Sequence, residues 1–285
     1  MNREYLLGIT ADFMENSPAN CLQAQAIEKE TRVRLPEGFF DGLRFYLPPI
    51  LSVGSAADPG FLKLREPGVV GPHHMLPTDW LPEARSVISL FLPFTDRIIR
   101  SNVIDPGEPS WEWLFGRIEG QQQLLSTAEF VRDALLEQGF KAHLPYTDKR
   151  LVARVSAAQD IPIPVFSSNW SERHVGYVTG LGTFGRMTNF ITKQGTCGRL
   201  ISVVTDWETE PDVKDYSGIF DYCSECLACY KACPGRAFDE NGKTISKCSA
   251  YIRDTCAKYT PRYGCGKCQT GLPCSTRNLK NPNAQ

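Results

Sequence analysis

Hydrophobic and polar positions along the chain separate into recognisable elements. The run SVISLFLPF, Ser86 to Phe94, is almost wholly apolar and ends on a proline, the pattern of a strand buried on both faces. A second such run, RLISVVTD, covers Arg199 to Asp206. Between them, QQQLLSTAEFVRDALLEQG places Leu124, Ala128, Val131 and Leu135 on one stripe at helical spacing, and Gly139 supplies a C-terminal stop. Buried strands alternating with an amphipathic helix predict an α/β or α+β sheet domain with helices packed on it. The segment LREPGVVGPHHMLP reads as a loop, with His73 and His74 as packed or surface residues.

Composition narrows the class. The 285 residues are 42% hydrophobic and 22% charged, with a formal net charge of −1, as in a globular protein with a sizeable core. The start, MNREYLLGIT, lacks the features of a secretory signal, and no apolar run approaches the roughly 18–20 residues of a spanning helix. The expectation is a cytoplasmic protein without a membrane segment. In a reducing compartment, clustered cysteines point to metal binding rather than disulfides.

Those cysteines divide the chain. Of eleven, only Cys21 and Cys197 precede residue 223. A cysteine-poor body over 1–215 and a metal-binding tail over 216–285 follow, with the boundary in the polar stretch ETEPDVKDYSG. Cys223, Cys226, Cys229, Cys233 and Pro234 meet the bacterial ferredoxin spacing C-x2-C-x2-C-x3-C-P, whose fourth cysteine ligates a second cluster. A second set is present in Cys248, Cys265, Cys268 and Cys274. The assignment is one 4Fe–4S cluster on Cys223, Cys226, Cys229 and Cys274, and another on Cys233, Cys248, Cys265 and Cys268. Cys256 is left over. Two zinc sites are the alternative use of paired C-x2-C units. From Asn241 to Gln285 there are eight Lys or Arg (Lys243, Lys247, Arg253, Lys258, Arg262, Lys267, Arg277, Lys280) against the single acid Asp254. That surplus suits charge compensation of the clusters or docking of an acidic electron donor, with nucleic-acid binding as the alternative.

In NWSERHVGYVTGLGTFGRMTNFITKQGTCG, Gly180, Gly182 and Gly185 spell G-x-G-x-x-G, and Asp206 ends a strand further on. The spelling is that of a dinucleotide loop, but the short, interrupted VGYV before it and the strand-like MTNFITKQG after it do not supply strand and helix. A generic glycine loop that allows close backbone approach to a large cofactor is the other reading.

Together, the glycine segment, a strand ending in TD, the ferredoxin run, KCSAY and YGCGKCQ resemble the epoxyqueuosine reductase and reductive dehalogenase group of iron–sulfur proteins. The resemblance covers roughly 80–275, is strongest over 169–274, and looks closest to a short branch of the group. It implies a nitroreductase-like body binding cobalamin, and a ferredoxin-like tail whose two 4Fe–4S clusters feed electrons to the cobalt for a reductive reaction on a small-molecule substrate. Cofactor contacts would fall on Arg173, Gly180, Leu181, Gly182, Thr183 and Gly185. An external low-potential donor of ferredoxin or flavodoxin type is implied. The chain departs from the group where epoxyqueuosine reductases carry a proton-donating aspartate, because Phe166 occupies that register, followed by Ser167 and Ser168. The second cysteine run also differs, being C-x2-C-x5-C with Ser275 next. Candidate proton donors are therefore Glu172, His174 and Tyr177, with Tyr146 on the analogy of a dehalogenase tyrosine. Two other functions stay open: a corrinoid-reducing electron-transfer protein without its own substrate, and a flavin- or nicotinamide-dependent iron–sulfur reductase.

Overall fold

The computed structural model describes residues 1–23, 41–154, 159–162 and 164–279. Helix α1 (Arg3–Asn16) begins at Asn2, whose Oδ1 accepts from Tyr5 N at 2.8 Å and satisfies one free amide of the first turn. Strands β1 (Ile50–Ser55) and β2 (Ser86–Pro93) pair antiparallel. Three helices follow: α2 (Asp96–Ile104), α3 (Trp111–Ile118) and α4 (Gly120–Glu137). A short strand β3 (Ala142–His143) precedes helix α5 (Glu172–Thr179). The hairpin β4 (Gly182–Phe184) and β5 (Phe190–Thr192) leads into the long strand β6 (Gly198–Thr205), and α6 (Ile245–Tyr259) lies in the tail.

Both apolar runs are central strands of one antiparallel sheet, ordered β1–β2–β6–β3. Every residue of β2 is buried, because helices cover both faces. On one face, Leu51, Val53, Ile88, Leu90, Ile201 and Val203 join the stripe of α4, Leu124, Ala128, Val131 and Leu135, in the main core with α1. On the other, Val87 and Val204 pack with Val175 and Val178 of α5, Phe61 and Trp170. The stripe and Gly139, which has φ +84°, stand where periodicity put them.

One feature of the second face is polar. Ser52, Ser89 and Ser202 are directly opposed across β1, β2 and β6, and all three are buried. Ser52 Oγ shares a 3.0 Å hydrogen bond with Thr179 Oγ1, and Ser202 Oγ accepts from Trp170 Nε1 at 2.9 Å. A polar seam thus runs beneath α5.

The tail is laced to the body. Thr196 N and Cys197 N donate to the carbonyls of Cys274 and Ser275 at 3.0 and 3.1 Å. Asn102 Nδ2 donates to Cys265 O at 3.0 Å. Arg262, fully buried, donates from Nε to Glu119 Oε1 at 2.7 Å and lies over the Phe115 ring. The stretch after residue 215 also packs inward: Phe184 N donates to Ile219 O, and Tyr222 N to Thr183 Oγ1. Three of the eight tail cations serve this docking, namely Arg262, the buried Lys267, and Lys258, paired with Glu108 at 2.7 Å. Lys280 lies outside the described residues. Among the described residues no helix is long and apolar enough to cross a membrane.

Candidate metal centres and redox site

Four tail cysteines face one cavity of about 180 Å³: Cys233, Cys248, Cys265 and Cys268. Cys233 ends the ferredoxin run, and its Sγ accepts from Ala237 N at 3.3 Å. Cys248 sits in the first turn of α6, and Cys265 and Cys268 flank Gly266 and Lys267. Gly266 is required there. Its φ is +71°, and a Cβ would fall 2.2 Å from the Trp113 ring. Trp113 and Arg117 of α3 complete the wall, with Tyr251 and Lys267. Among the described residues, no three His, Cys, Asp or Glu side chains converge on a single-ion position. Thiols standing around a void suit a polynuclear cluster, whereas zinc would need them drawn to about 2.3 Å from one point.

The other four are also neighbours. Cys229 and Cys274 are buried in an apolar cluster with Met187, Ile191, Tyr222 and Leu272, and Cys223 packs against it. Burial pushes the Cys229 thiol up to about 11 and that of Cys274 to about 12. Charge on Cys223 and Cys226 adds to both shifts. Bare thiols in such surroundings stay protonated, and a cationic cluster core is what makes thiolates stable there. Cys268 packs against the same apolar cluster as Cys229 and Cys274, so the two sets stand side by side. The remaining thiols are not in either set. Cys256 does not line the cavity, and buried Cys197 donates from Sγ to Gln269 O at 2.9 Å.

The glycine segment is a structural joint. A helix, α5, precedes it rather than a strand, and a hairpin rather than a helix follows, as the sequence context indicated, so the spelling is not that of a dinucleotide loop here. Gly180 caps α5 in the left-handed region with φ +96°. A Cβ on Gly182 would lie 2.2 Å from Ile191 O, and one on Gly185 2.2 Å from Met187 Sδ. The chain itself fills the space those glycines leave. Leu181 is buried beside Phe91 and Phe190, and Thr183 is held by Tyr222 N. The Asp206 carboxylate accepts from Lys141 N at 2.8 Å, fixing the end of β3.

The proton-donor candidates are dispersed. Glu172 opens α5, and its Oε1 is buried without a hydrogen-bond partner. Burial pushes its carboxyl up to about 7, against the pull of the Ser202 hydroxyl and amide. His174 shares a 2.8 Å hydrogen bond with Ser171 Oγ, stacks near Phe184, and is lowered to about 4 by burial and then by Arg173. Tyr177 donates to Ser217 O at 3.2 Å and is raised by burial and then by Asp221. Arg173 donates to Thr188 O at 2.9 Å. Tyr146 is exposed on a 3₁₀ turn. Phe166 is exposed with φ +63°. His74 is a residue whose setting the loop-like sequence hid. It is 1% exposed, stacked on Trp170, and neither ring nitrogen has a hydrogen-bond partner. Of these groups, Glu172 alone combines burial with a proton affinity matched to neutral pH.

The architecture is an α+β sheet domain followed by a cysteine-rich segment, and solved structures share that fold. The fold is similar to an epoxyqueuosine reductase solved with an epoxyqueuosine-modified tRNA-Tyr stem loop, with a TM-score of 0.50 and 17% identity over 82% of this chain and 64% of that one. A selenomethionine-labelled epoxyqueuosine reductase gives 0.49 and 17%, covering 81% and 63%. A catabolic reductive dehalogenase bound to 3-bromo-4-hydroxybenzoic acid gives 0.49 and 14%, covering 81% and 30%. The chain thus spans less than two thirds of the length of these proteins. No family model matches, and no curated protein matches.

Proposed function

We propose that this chain is a cytoplasmic iron–sulfur oxidoreductase. In this reading its tail, 216–285, holds two 4Fe–4S clusters on the two cysteine sets, and its nitroreductase-like body, 1–215, holds the electron acceptor. The observation that carries the proposal is the cavity bordered by Cys233, Cys248, Cys265 and Cys268, the set that the ferredoxin spacing groups together. The clusters supply one-electron reduction at low potential. The chain's own residues position and insulate them: Trp113 and Tyr251 wall the cavity, while Met187, Ile191 and Leu272 exclude water around Cys229 and Cys274. Glu172 is proposed to deliver the proton that a reductive cleavage requires, because it alone pairs burial with a carboxyl near pH 7.

A corrinoid is the acceptor implied by the resemblance. Gly182 and Gly185 do not fit as its cradle, since Ile191 and Met187 occupy that space. No step is assigned to a corrinoid for that reason. Exposed Lys247 and Arg253 suit an acidic donor of ferredoxin or flavodoxin type. Phe166 in the aspartate register favours the second reading, a corrinoid-reducing protein without its own substrate.

The test is anaerobic purification, reconstitution with iron and sulfide, and addition of cobalamin under reducing conditions. About eight irons per chain are expected, and a base-off cobalt(II) spectrum would identify the acceptor as a corrinoid held by residues other than Gly182 and Gly185. Zinc retained in place of iron would refute the proposal. Full iron with an unchanged cobalamin spectrum would remove the corrinoid and leave flavin or nicotinamide as acceptor.

A further inference from the structure

The cavity of Cys233, Cys248, Cys265 and Cys268 is bordered by three cations that lack a carboxylate partner among the described residues: Arg117, Lys267 and Lys243, whose Nζ lies 5.8 Å from the centre of the Phe238 ring. Arg117 reaches it from α3, a helix more than a hundred residues before these cysteines in sequence. Its guanidinium carbon lies 4.7 Å from the centre of the Tyr263 ring, and its Nε is buried with no hydrogen-bond partner. Gly264 makes room for it, because a Cβ there would stand 2.7 Å from Arg117 Cδ. Lys267, between two of the cysteines and 4% exposed, donates from Nζ to the carbonyls of Asn102 and Asp105 at 2.5 and 2.6 Å. None of the three forms an ion pair among the described residues. With no carboxylate in direct contact, cations at this depth favour an anionic occupant of the cavity.

The other cysteine set has a different electrostatic setting. Arg186, the cation beside Cys223, is bound to Glu225 at 2.6 Å, and Lys193 is paired with Asp215 at 3.3 Å. Glu225 itself stands between Cys223 and Cys226 in sequence. Positive charge there is already neutralised, and Cys226 is exposed to water.

We infer that Arg117 and Lys267 hold the reduction potential of the cluster on Cys233, Cys248, Cys265 and Cys268 above that of its neighbour. The inference rests on the two-cluster reading above. An oxidised cubane with four thiolates carries a net charge of about −2, and taking one electron from the external donor adds another negative charge. Wall cations without a carboxylate ion pair stabilise that reduced state, and net charge is one of the levers on such potentials. The cluster beside Arg117 and Lys267 therefore fills first and stores the electron. The cluster beside Met187 and Ile191 requires a stronger reductant.

The test is a redox titration of the reconstituted full chain, followed by electron paramagnetic resonance, with iron counted in every sample. Wild type is expected to show two midpoints. Arg117→Gln and Lys267→Gln are each expected to lower the higher midpoint only. At fixed potential the reduced-to-oxidised ratio of that cluster falls about tenfold, about 59 mV for one electron. Arg117→Lys, which keeps the charge, retains most of the wild-type value. Wild type with iron for fewer than two clusters would sink the function proposed above. Two clusters with the higher midpoint unmoved in both Gln variants would overturn this inference alone, as would Arg117→Lys shifting as far as Arg117→Gln. If one Gln variant fails to assemble, the other carries the test.

Discussion

Replacing Glu172 with glutamine tests the proton-donor assignment. The substitution keeps the side-chain volume at the start of α5 and removes the ability to ionise. Burial raises the carboxyl from 4.5 to about 7, while the Ser202 hydroxyl and amide oppose the rise. At about 1.4 kcal/mol per pKa unit, a shift of this size corresponds to roughly 3 kcal/mol. The folded state binds this proton more tightly than the unfolded state does. Its contribution to stability is therefore fully present below about pH 4.5 and is lost as the pH climbs through about 7. His74 and His174 act in the opposite sense. Both are lowered from 6.5 to about 4, so their contribution is present above about pH 6.5 and lost as the pH falls through 4. They remain in Glu172→Gln, so the difference between wild type and variant isolates the carboxyl.

Infrared difference spectroscopy of the folded protein reads the proton directly. A protonated-carboxyl band should disappear with a midpoint near pH 7 in wild type, with about nine tenths protonated at pH 6 and one tenth at pH 8. The band should be missing from Glu172→Gln. The variant should also gain roughly 3 kcal/mol relative to wild type between pH 4.5 and 8. If Glu172 delivers the proton, the wild-type reduction rate falls about tenfold per pH unit above 7. A carboxyl that titrates below pH 5, or a band that persists in the variant, would refute the reasoning.

Other predictions concern the histidine beneath the loop and the thiols. His74→Phe keeps the ring against Trp170 and removes two buried nitrogens that lack hydrogen-bond partners. It should raise stability near pH 7.5 by about 1–3 kcal/mol and lower the pH of acid unfolding. A lower melting temperature at pH 7.5 would show that the imidazole has a partner in solution. Cys268→Ser should leave about half the iron and sulfide per chain, while Cys256→Ser leaves both unchanged. Equal loss in the two variants would contradict the ligand assignment.

Legibility in the sequence followed locality. The helix at 120–137 and the strands at 86–93 and 198–205 could be read because burial on a helix stripe or a two-faced strand imposes a period on adjacent residues. The context of the glycine spelling at 180–185 was legible for the same reason, since VGYV before it and MTNFITKQG after it supply neither strand nor helix. The letters match a dinucleotide loop, but glycine serves wherever backbone comes close, and here the close partners are Ile191 and Met187 of the following hairpin. Arg117 could not be found from the sequence. It ends an ordinary amphipathic helix, and only the docking of the tail brings it to a wall of cysteines.

The sequence alone grouped the tail cysteines into the two sets of the proposed clusters, because such grouping is read from thiol identity and short spacing. It also determined the sheet and the main helix. The tertiary structure decided the electrical properties: a carboxyl near pH 7 at Glu172, ring nitrogens without hydrogen-bond partners at His74, and cations without a carboxylate ion pair beside one cysteine set. These depend on how much water is excluded and on which charges from distant parts of the chain lie within a few ångströms, and neither quantity is a property of neighbouring letters.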